Sequence, residues 1–316
     1  MKVLLWHVHG SWTNAFVRGE HSYVLPVLPD RGPDGVGRAR TWDWPASVEE
    51  HAPDALPEVD VVVLQRPHEI ELVERWTGRR AGVDLPAVYL EHNTPPALDG
   101  RARHVLADRD DVPVVHVTAF NALVWDCGRA PTRVVEHGVP DPGHLYRGER
   151  AELAAVVNEP VRRGRAVGTD LLVDLAGRVP LRVYGMGTDA LEPLAPGLRG
   201  RTADLDQASL HAAMAGSRAY LHPFRWTSLG LSLVEAMTLG MPVLALATTA
   251  APEAVPGWAG LVTCDVDALV ARARRWLDDP DEARAVGEAA RAHALHRFGL
   301  DRFLSDWQQL LEEVTR

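Results

Sequence analysis

The sequence predicts an α/β protein made of two Rossmann-like halves. Short apolar runs alternate with helical segments along the chain, which is the pattern of parallel βαβ units. The pattern stops at a stretch with two prolines and two glycines, residues 140–149, and then begins again. The length of 316 residues also suits two domains. We therefore predict a first domain at residues 1–145, a second domain at residues 146–298, and a closing helix at residues 299–316 that packs back on the first domain.

In the first half, five apolar runs predict buried strands. They are Val3 to Val8, Asp60 to Leu64, Ala87 to Leu90, Val112 to Val117, and a run that begins at Val134. Ligands of parallel sheets gather at the carboxyl ends of the strands. Gly10 follows the first run and His92 follows the third, so we expect both residues at this edge. A glycine there allows the backbone to approach a ligand closely.

The second half repeats the alternation of strands and helices. We predict strands at Leu153 to Val157, Leu181 to Tyr184 and Ala219 to Leu221, and helices at Thr169 to Ala176 and Asp206 to Ala215. Three more helices close the chain, at Asp267 to Leu277, Pro280 to His296 and Leu300 to Val314.

The stretch from His222 to Glu253 is the most informative part of the sequence. It predicts a strand end, a tight loop, a helix at Leu231 to Leu239 with Thr227 or Ser228 as its N-cap, and a further buried strand. The N–H groups and the positive dipole end of such a helix can bind a diphosphate. Glu235 lies about two turns into the helix, where its carboxylate is placed to accept hydrogen bonds from ribose hydroxyls.

This stretch resembles the donor-sugar motif of family-four glycosyltransferases of the GT-B fold, also called group 1 glycosyltransferases. The motif has two glutamates eight positions apart, followed by Ala-Met, a glycine and Pro-Val. The residues that match it in register are Pro223, Gly230, Leu231, Glu235, Ala236, Met237, Gly240, Pro242 and Val243. Thr227 takes the place of the first glutamate, which the family uses at the donor sugar or the reacting centre.

The resemblance implies a GT-B fold, with a cleft between two Rossmann-like domains, and a retaining, hexosyltransferase-like sugar transfer that needs no metal or other cofactor. The donor would be a UDP- or GDP-linked sugar, and the acceptor a hydroxyl of a small molecule, a glycan or a lipid-linked molecule. His92 and Thr227 would lie at the sugar, and Glu235 would bind the ribose. The remaining donor-binding positions implied are Gly10, Gly185, Ser228, Leu229, Gly230 and Leu231.

The family also places an arginine and a lysine on the loop after the first strand of the second domain, where they hold the diphosphate. Lys2 is the only lysine of this chain, so arginine must take that role. Two alignments are open. Arg163-Gly164 replaces the Lys-Gly pair in one of them, and Val167-Gly168 replaces it in the other, with Arg162 as the matching arginine. We predict that Arg162 and Arg163 both contact the diphosphate, since the guanidinium fork suits phosphate oxygens.

Composition limits the partners and the compartment. A net charge of -10 argues against nonspecific binding of nucleic acid, which requires phosphate neutralisation. The two cysteines are far apart in sequence and fit a reducing compartment. The apolar start of the chain is too short for a signal peptide or a membrane span. We expect a cytoplasmic protein, with peripheral membrane contact implied only if its acceptor is lipid-linked, and the sequence does not indicate an oligomeric state.

Three alternatives stay open from the residues alone. A GT-B protein of other chemistry, such as a nucleotide-sugar epimerase, would need no acceptor. A noncatalytic protein that binds nucleotide sugars or glycans would explain Thr227. A metal-dependent hydrolase is suggested by His7 and His9, which lie two apart at a strand end. The absence of a further lysine and of further ligand spacing makes the metal site the least favoured of the three.

Overall fold

The computed structural model describes residues 1–39 and 42–316. This part of the chain forms two compact units, of which the first comprises Met1–Gly138 with Leu300–Arg316 and the second comprises Val139–Gly299. Within the second unit, the N–H of Val139 donates to the carbonyl of Phe298 (3.0 Å).

A parallel sheet of seven strands lies in the described residues of the first unit, in the spatial order β3-β2-β1-β4-β5-β6-β7. Its strands are β1 (Lys2–Leu5), β2 (Ser22–Pro26), β3 (Val48–His51), β4 (Val61–Leu64), β5 (Ala87–Glu91), β6 (Val114–His116) and β7 (Thr132–Val134). Its helices before the second unit are α1 (Gly10–Phe16), α2 (Glu69–Thr77) and α3 (Ala119–Val124), with short 3-10 turns at Pro53–Ala55 and Gly100–Ala102.

Strands β2 and β3 were not predicted from the sequence. β3 lies at the edge of the sheet and has the sequence VEEH, in which only Val48 is buried. An edge strand that is largely solvated does not need an apolar run, so hydrophobicity gave no signal. β2 is apolar but has only five residues and ends at Pro26, which resembles a loop boundary.

The second unit, which the structure describes throughout, contains a parallel sheet of six strands in the order β10-β9-β8-β11-β12-β13. Its strands are β8 (Arg150–Val156), β9 (Leu181–Tyr184), β10 (Thr202–Ala203), β11 (Ser217–His222), β12 (Val243–Leu246) and β13 (Gly260–Thr263). Its helices are α4 (Pro160–Arg163), α5 (Thr169–Ala176), α6 (Gln207–Gly216), α7 (Leu231–Leu239), α8 (Ala251–Ala254), α9 (Val266–Asp278) and α10 (Pro280–Arg297). Short 3-10 turns occur at Gly164–Val167, Thr188–Leu191 and Pro196–Leu198.

The predicted elements of the second half agree closely with the structure. The bounds of α5, β9 and α7 are those predicted, because each has a clear apolar pattern and a glycine or proline at its boundary. Gly240 ends α7 in the left-handed conformation (φ 94°), as predicted for a C-terminal glycine. Among the residues that the structure describes, no helix combines the length and the apolarity needed to cross a bilayer.

The last helix of the chain, α11 (Leu300–Val314), belongs to the first unit. Phe303 and Trp307 on its inner face are fully buried. The Trp307 ring lies 5.5 Å from that of Trp12 and 5.0 Å from that of Phe16, both on α1. The guanidinium group of Arg302 also donates to the backbone carbonyls of Glu136 and His137, which follow β7. Aromatic packing thus fixes α11 against α1.

We predict that Trp307→Ala lowers the free energy of unfolding by about 3–5 kcal/mol, because it removes a buried indole and leaves a cavity. Gln309→Ala, at an exposed position of the same helix, is the matched control and should change stability by no more than about 0.5 kcal/mol. Urea denaturation measures both variants. A loss below about 1 kcal/mol for Trp307→Ala would contradict the proposed anchoring of α11.

Candidate functional site

The carboxyl ends of the strands in the second unit form one edge of its sheet. Arg162 and Arg163 follow β8, Gly185 follows β9, and the segment from Thr227 to Glu235 follows β11. The parallel topology therefore brings these predicted residues to the same edge, where ligands bind in open α/β sheets.

Two glycines allow the loops along this edge to touch. Gly185 has a φ of 126°, and a Cβ atom there would lie 2.6 Å from the carbonyl oxygen of Val157. Gly168, with a φ of 80°, lies so close to the carbonyl group of Pro223 that a Cβ atom would overlap it. Because a side chain at either position would separate the loops, both glycines are needed for this packing.

The start of α7 is set by a contact between Gly230 and His222. A Cβ atom at Gly230 would lie 2.5 Å from Cε1 of His222. Gly230 is the N-cap residue, and no side chain in the described chain caps the helix. The prediction of Thr227 or Ser228 as the N-cap is therefore wrong, because the helix can begin only after the residue that passes the imidazole. The first N–H groups of α7 are left without a side-chain cap.

Glu235 is buried in the second turn of α7 but has no hydrogen bond to another described residue. It is 6% exposed, and the imidazole of His211 lies beside it, with 3.7 Å between Glu235 Oε2 and His211 Nε2. A buried carboxylate normally accepts hydrogen bonds, because its desolvation is costly otherwise. A ligand with hydroxyl groups could donate hydrogen bonds to the carboxylate oxygens of Glu235.

The two predicted arginines have different surroundings. The guanidinium group of Arg162 forms an ion pair with Glu159. That of Arg163 lies over the ring of Phe224, with 5.9 Å between Cζ and the ring centroid, and has no carboxylate within 4 Å among the described residues. Partial burial and the neighbouring Arg162 lower the pKa of Arg163. Arg163 is therefore the cation of this pair whose charge is not neutralised by the protein.

The side chains from His222, the last residue of β11, to Leu231 are uncharged at most positions of this edge. His222 is buried and its ring stacks on that of Phe224 at 4.6 Å. Burial lowers the pKa of His222 to about 3, so the imidazole is uncharged at pH 7. Thr227 is half-buried and its hydroxyl has no hydrogen bond within the described chain. Ser228 and Leu229 are buried, while Leu231 is half-buried at the first position of α7.

In the first unit, three histidines follow three parallel strands. His9, His92 and His137 come after β1, β5 and β7. The ring centroid of His92 lies 3.9 Å from that of His9 and 6.4 Å from that of His137. Nε2 of His92 lies 3.0 Å from Oε1 of Gln65, whose amide nitrogen donates to the carbonyl of Trp6 (2.7 Å). Because Gln65 thus presents its oxygen, His92 carries a proton on Nε2.

These three imidazoles are neutral at pH 7. Burial lowers the pKa of His9 to about 4. Burial is also the main cause that lowers the pKa of His137 to about 3, with smaller electrostatic contributions from His9 and Arg302. Burial and the other two histidines also keep the pKa of His92 well below its ordinary value. In residues 1–39 and 42–316, no group of three or more histidine, cysteine or carboxylate side chains is placed to bind a metal ion.

Gly10 begins α1 and is packed under an indole. A Cβ atom at Gly10 would overlap the six-membered ring of Trp42. The Trp42 ring stacks parallel to that of Trp44, and His7 meets both rings edge-on. The structure thus gives Gly10 a local role in admitting Trp42 beside the end of β1.

Part of the second half matches a known protein family. The family model described as "Glycosyl transferases group 1" matches residues 202–293, which include α6, β11, α7 and β12. Over these residues the chain is similar to group 1 glycosyltransferases. The resemblance that the sequence indicated is thereby confirmed.

A relative supports this similarity. MMP alpha-(1->4)-mannosyltransferase of Mycolicibacterium hassiacum is 36% identical over 115 residues, which are 35% of this chain. The matched segment spans about a quarter of that relative's length (26%).

Solved structures extend the likeness to the whole chain. Sucrose-phosphate synthase from Thermosynechococcus elongatus superposes with a TM-score of 0.73 at 14% identity and covers 99% of both chains. Anabaena HepE in complex with UDP gives a TM-score of 0.69 at 15% identity, over 99% of this chain and 100% of the other. The two Rossmann-like units and these neighbours confirm the predicted GT-B fold class.

Several residues near the candidate site of the second unit were not found from the sequence. Glu159 is one of them, with a φ of 49° that a side chain rarely adopts, directly before α4. His222, Gln207 and His211 are the others, and none belongs to the quoted motif. Their role depends on contacts between separate elements, which no local pattern in one sequence reports.

We predict that the protein loses stability as the pH falls below about 6.5. The folded-state pKa values of His9 and His137 are depressed, so between pH 6.5 and about 4 the unfolded chain binds protons that the folded chain does not. At pH 5 each histidine should reduce the free energy of unfolding by about 2 kcal/mol. Urea denaturation at pH 7 and pH 5 measures this loss.

His137→Asn should make the loss between pH 7 and pH 5 smaller by about 2 kcal/mol. The matched control is His296→Asn, which changes an exposed histidine of α10 and should leave the loss as in the wild type. An unchanged loss in His137→Asn would contradict the neutral, buried state assigned to His137.

Proposed function

We propose that this protein is a glycosyltransferase that moves a sugar from a nucleoside-diphosphate sugar to a hydroxyl group of an acceptor, with retention of configuration. One observation carries the proposal. Among the described residues, Glu235 is a buried carboxylate without a hydrogen bond and Arg163 is a cation without a carboxylate within 4 Å, and both lie at the same sheet edge. The ribose hydroxyls of such a donor require a hydrogen-bond acceptor, and its diphosphate requires a cation.

In the proposed complex, the diphosphate lies at the first turn of α7. Arg163 and the uncapped N–H groups of residues 229–231 carry its charge, while Arg162 supports the loop through Glu159. Gly185 keeps the neighbouring loop close to this position. The cation and the helix dipole stabilise the charge that develops on the leaving group, so the proposed reaction uses no metal ion or cofactor.

Thr227 contacts the donor sugar in this proposal, and a sugar-binding role of His92 in the first unit stays a prediction. His92 is held by Gln65 as a neutral donor, and Thr227 supplies a hydroxyl where the family uses a carboxylate. Gly10 stays a predicted donor-binding position, although the Trp42 ring packs over it. The name of the mannosyltransferase relative supports a hexosyl donor, and the HepE complexes with UDP and UDP-glucose support uridine as the base, with guanosine as the second candidate.

We predict that Glu235→Ala weakens binding of UDP, or of GDP if that is the nucleotide bound, by about 10- to 100-fold. The reason is the loss of charge-assisted hydrogen bonds to the ribose, which are worth about 1.5–3 kcal/mol. Isothermal titration calorimetry measures the affinity. Glu288→Ala, at an exposed position on α10, is the matched control. Equal affinity of the wild type and Glu235→Ala would contradict the ribose role.

The two arginines should respond differently to substitution. Arg163→Ala is expected to weaken UDP binding about tenfold or more and to leave uridine binding unchanged, because uridine lacks the diphosphate. Arg162→Ala should have a smaller effect, since Glu159 already neutralises that side chain. Arg199→Ala, at another exposed arginine of the unit, should have none. A larger effect of Arg162→Ala than of Arg163→Ala would contradict the assignment.

Transfer itself is tested by release of nucleoside diphosphate from the donor that binds. We expect release to require Arg163 and to increase when an acceptor hydroxyl is supplied. Tight donor binding without any release, with or without acceptors, would instead favour a noncatalytic nucleotide-sugar-binding protein.

A further inference from the structure

Glu235 is flanked by two polar side chains of α6 that the motif does not include. Gln207 and His211 lie one helical turn apart on α6, on the side that faces α7. Their contact is short, with 2.7 Å between Nε2 of Gln207 and Nε2 of His211. The side chains of His211 and Glu235 are 11% and 7% exposed, so the three groups form a largely buried polar row.

Two distances from Nε2 of His211 show which neighbour it forms a hydrogen bond with. Its Nε2 lies 2.7 Å from Gln207, well within hydrogen-bond range, and 3.7 Å from Glu235, beyond it. A ring nitrogen of neutral imidazole has either one lone pair or one hydrogen, so it serves one partner. The amide N–H of Gln207 donates to the Nε2 lone pair, and the imidazole therefore has no hydrogen on that nitrogen to give to Glu235.

The carboxylate of Glu235 therefore receives no hydrogen bond from His211. If His211 carried a hydrogen on Nε2, a small shift of the imidazole would let it donate to Glu235, and the buried acid would be satisfied within the protein. The contact from Gln207 prevents this, while the imidazole still fills the space beside the carboxylate. Glu235 is thus held in place by packing and kept free for an outside donor.

We propose that Gln207 and His211 are positioning residues that reserve Glu235 for the ribose hydroxyls of the nucleotide. This inference rests on the proposed function, because it concerns the same donor site. Gln207 holds His211 in its hydrogen-accepting form, and His211 in turn leaves both oxygens of Glu235 available to the ligand. Removing Gln207 frees Nε2 of His211 to take up a hydrogen and compete with the ribose.

The test compares affinities for UDP and 2′-deoxy-UDP, and for GDP and 2′-deoxy-GDP, by calorimetry. The ratio of each pair reports recognition of the ribose alone, because base and diphosphate are shared. The wild type should prefer the ribonucleotide about tenfold or more, and Glu235→Ala should abolish the preference. Gln207→Ala should reduce the preference about five- to tenfold.

A second substitution separates positioning from simple packing. Adding His211→Phe to Gln207→Ala removes the competing nitrogen and should restore the preference to within about twofold of the wild type. His211→Leu serves the same purpose if the phenyl ring prevents folding. Gln309→Ala, on α11 of the other unit, should leave the ratio unchanged.

The outcomes distinguish this inference from the proposed function. Loss of the preference in Glu235→Ala but not in Gln207→Ala would overturn the positioning role alone. A double variant that stays as poor as Gln207→Ala would do the same, since it would point to packing rather than competition. A folded wild type that binds none of the four nucleotides would overturn the proposed donor site and this inference with it.

Discussion

The contact between Gly230 and the ring of His222 fixes where α7 begins, and the candidate site is built on that helix. His222 ends β11 as a buried, neutral imidazole, and only a residue without a side chain can pass it at this distance. The helix then starts without a side-chain cap and places Glu235 in its second turn. At its other end, Gly240 turns the chain, and Gly287 of α10 lies against the Gly240 carbonyl. Glycines at both ends therefore determine the direction of α7.

The charged side chains along the sheet edge of the second unit differ in whether the protein itself pairs them. Arg162 pairs with Glu159, and Arg225 pairs with Asp170 at 2.6 Å, so most cations of these loops are neutralised within the protein. In the described part of the chain, Arg163 has no carboxylate within 4 Å, and the buried carboxylate of Glu235 accepts no hydrogen bond. Groups that are costly to leave unpaired are expected where a ligand completes the pairing. The first unit is different, since His9, His92 and His137 are buried as neutral rings and add no charge.

The sequence predicted the central helix and its glutamate because local signals agree there. An apolar period, Gly240, and Pro242 bound α7, and the family motif fixes Glu235 within it. The N-cap could not be predicted, since it depends on the ring of His222, which precedes the helix by nine residues and contacts Gly230 only in the folded unit. The difference between Arg162 and Arg163 likewise arises from Glu159 and Phe224 in three dimensions.

Elements with weak local signals were missed for a related reason. β3 is a solvated edge strand, so its burial pattern does not require apolar residues. Gln207 and His211 lie on a different helix from Glu235, and nothing in the spacing of one sequence indicates that these side chains meet. Sequence patterns thus gave the elements and the motif, while contacts between elements decide which side chains of the site stay available.

The most direct measurement of the central claim is a crystal structure of this protein with the nucleoside diphosphate that it binds. We predict ribose hydroxyl oxygens within about 2.5–3.2 Å of the Glu235 carboxylate, and phosphate oxygens at the same range from Arg163 and the first N–H groups of α7. A nucleotide bound with its ribose away from Glu235, or with its diphosphate away from the start of α7, would contradict the proposed donor site.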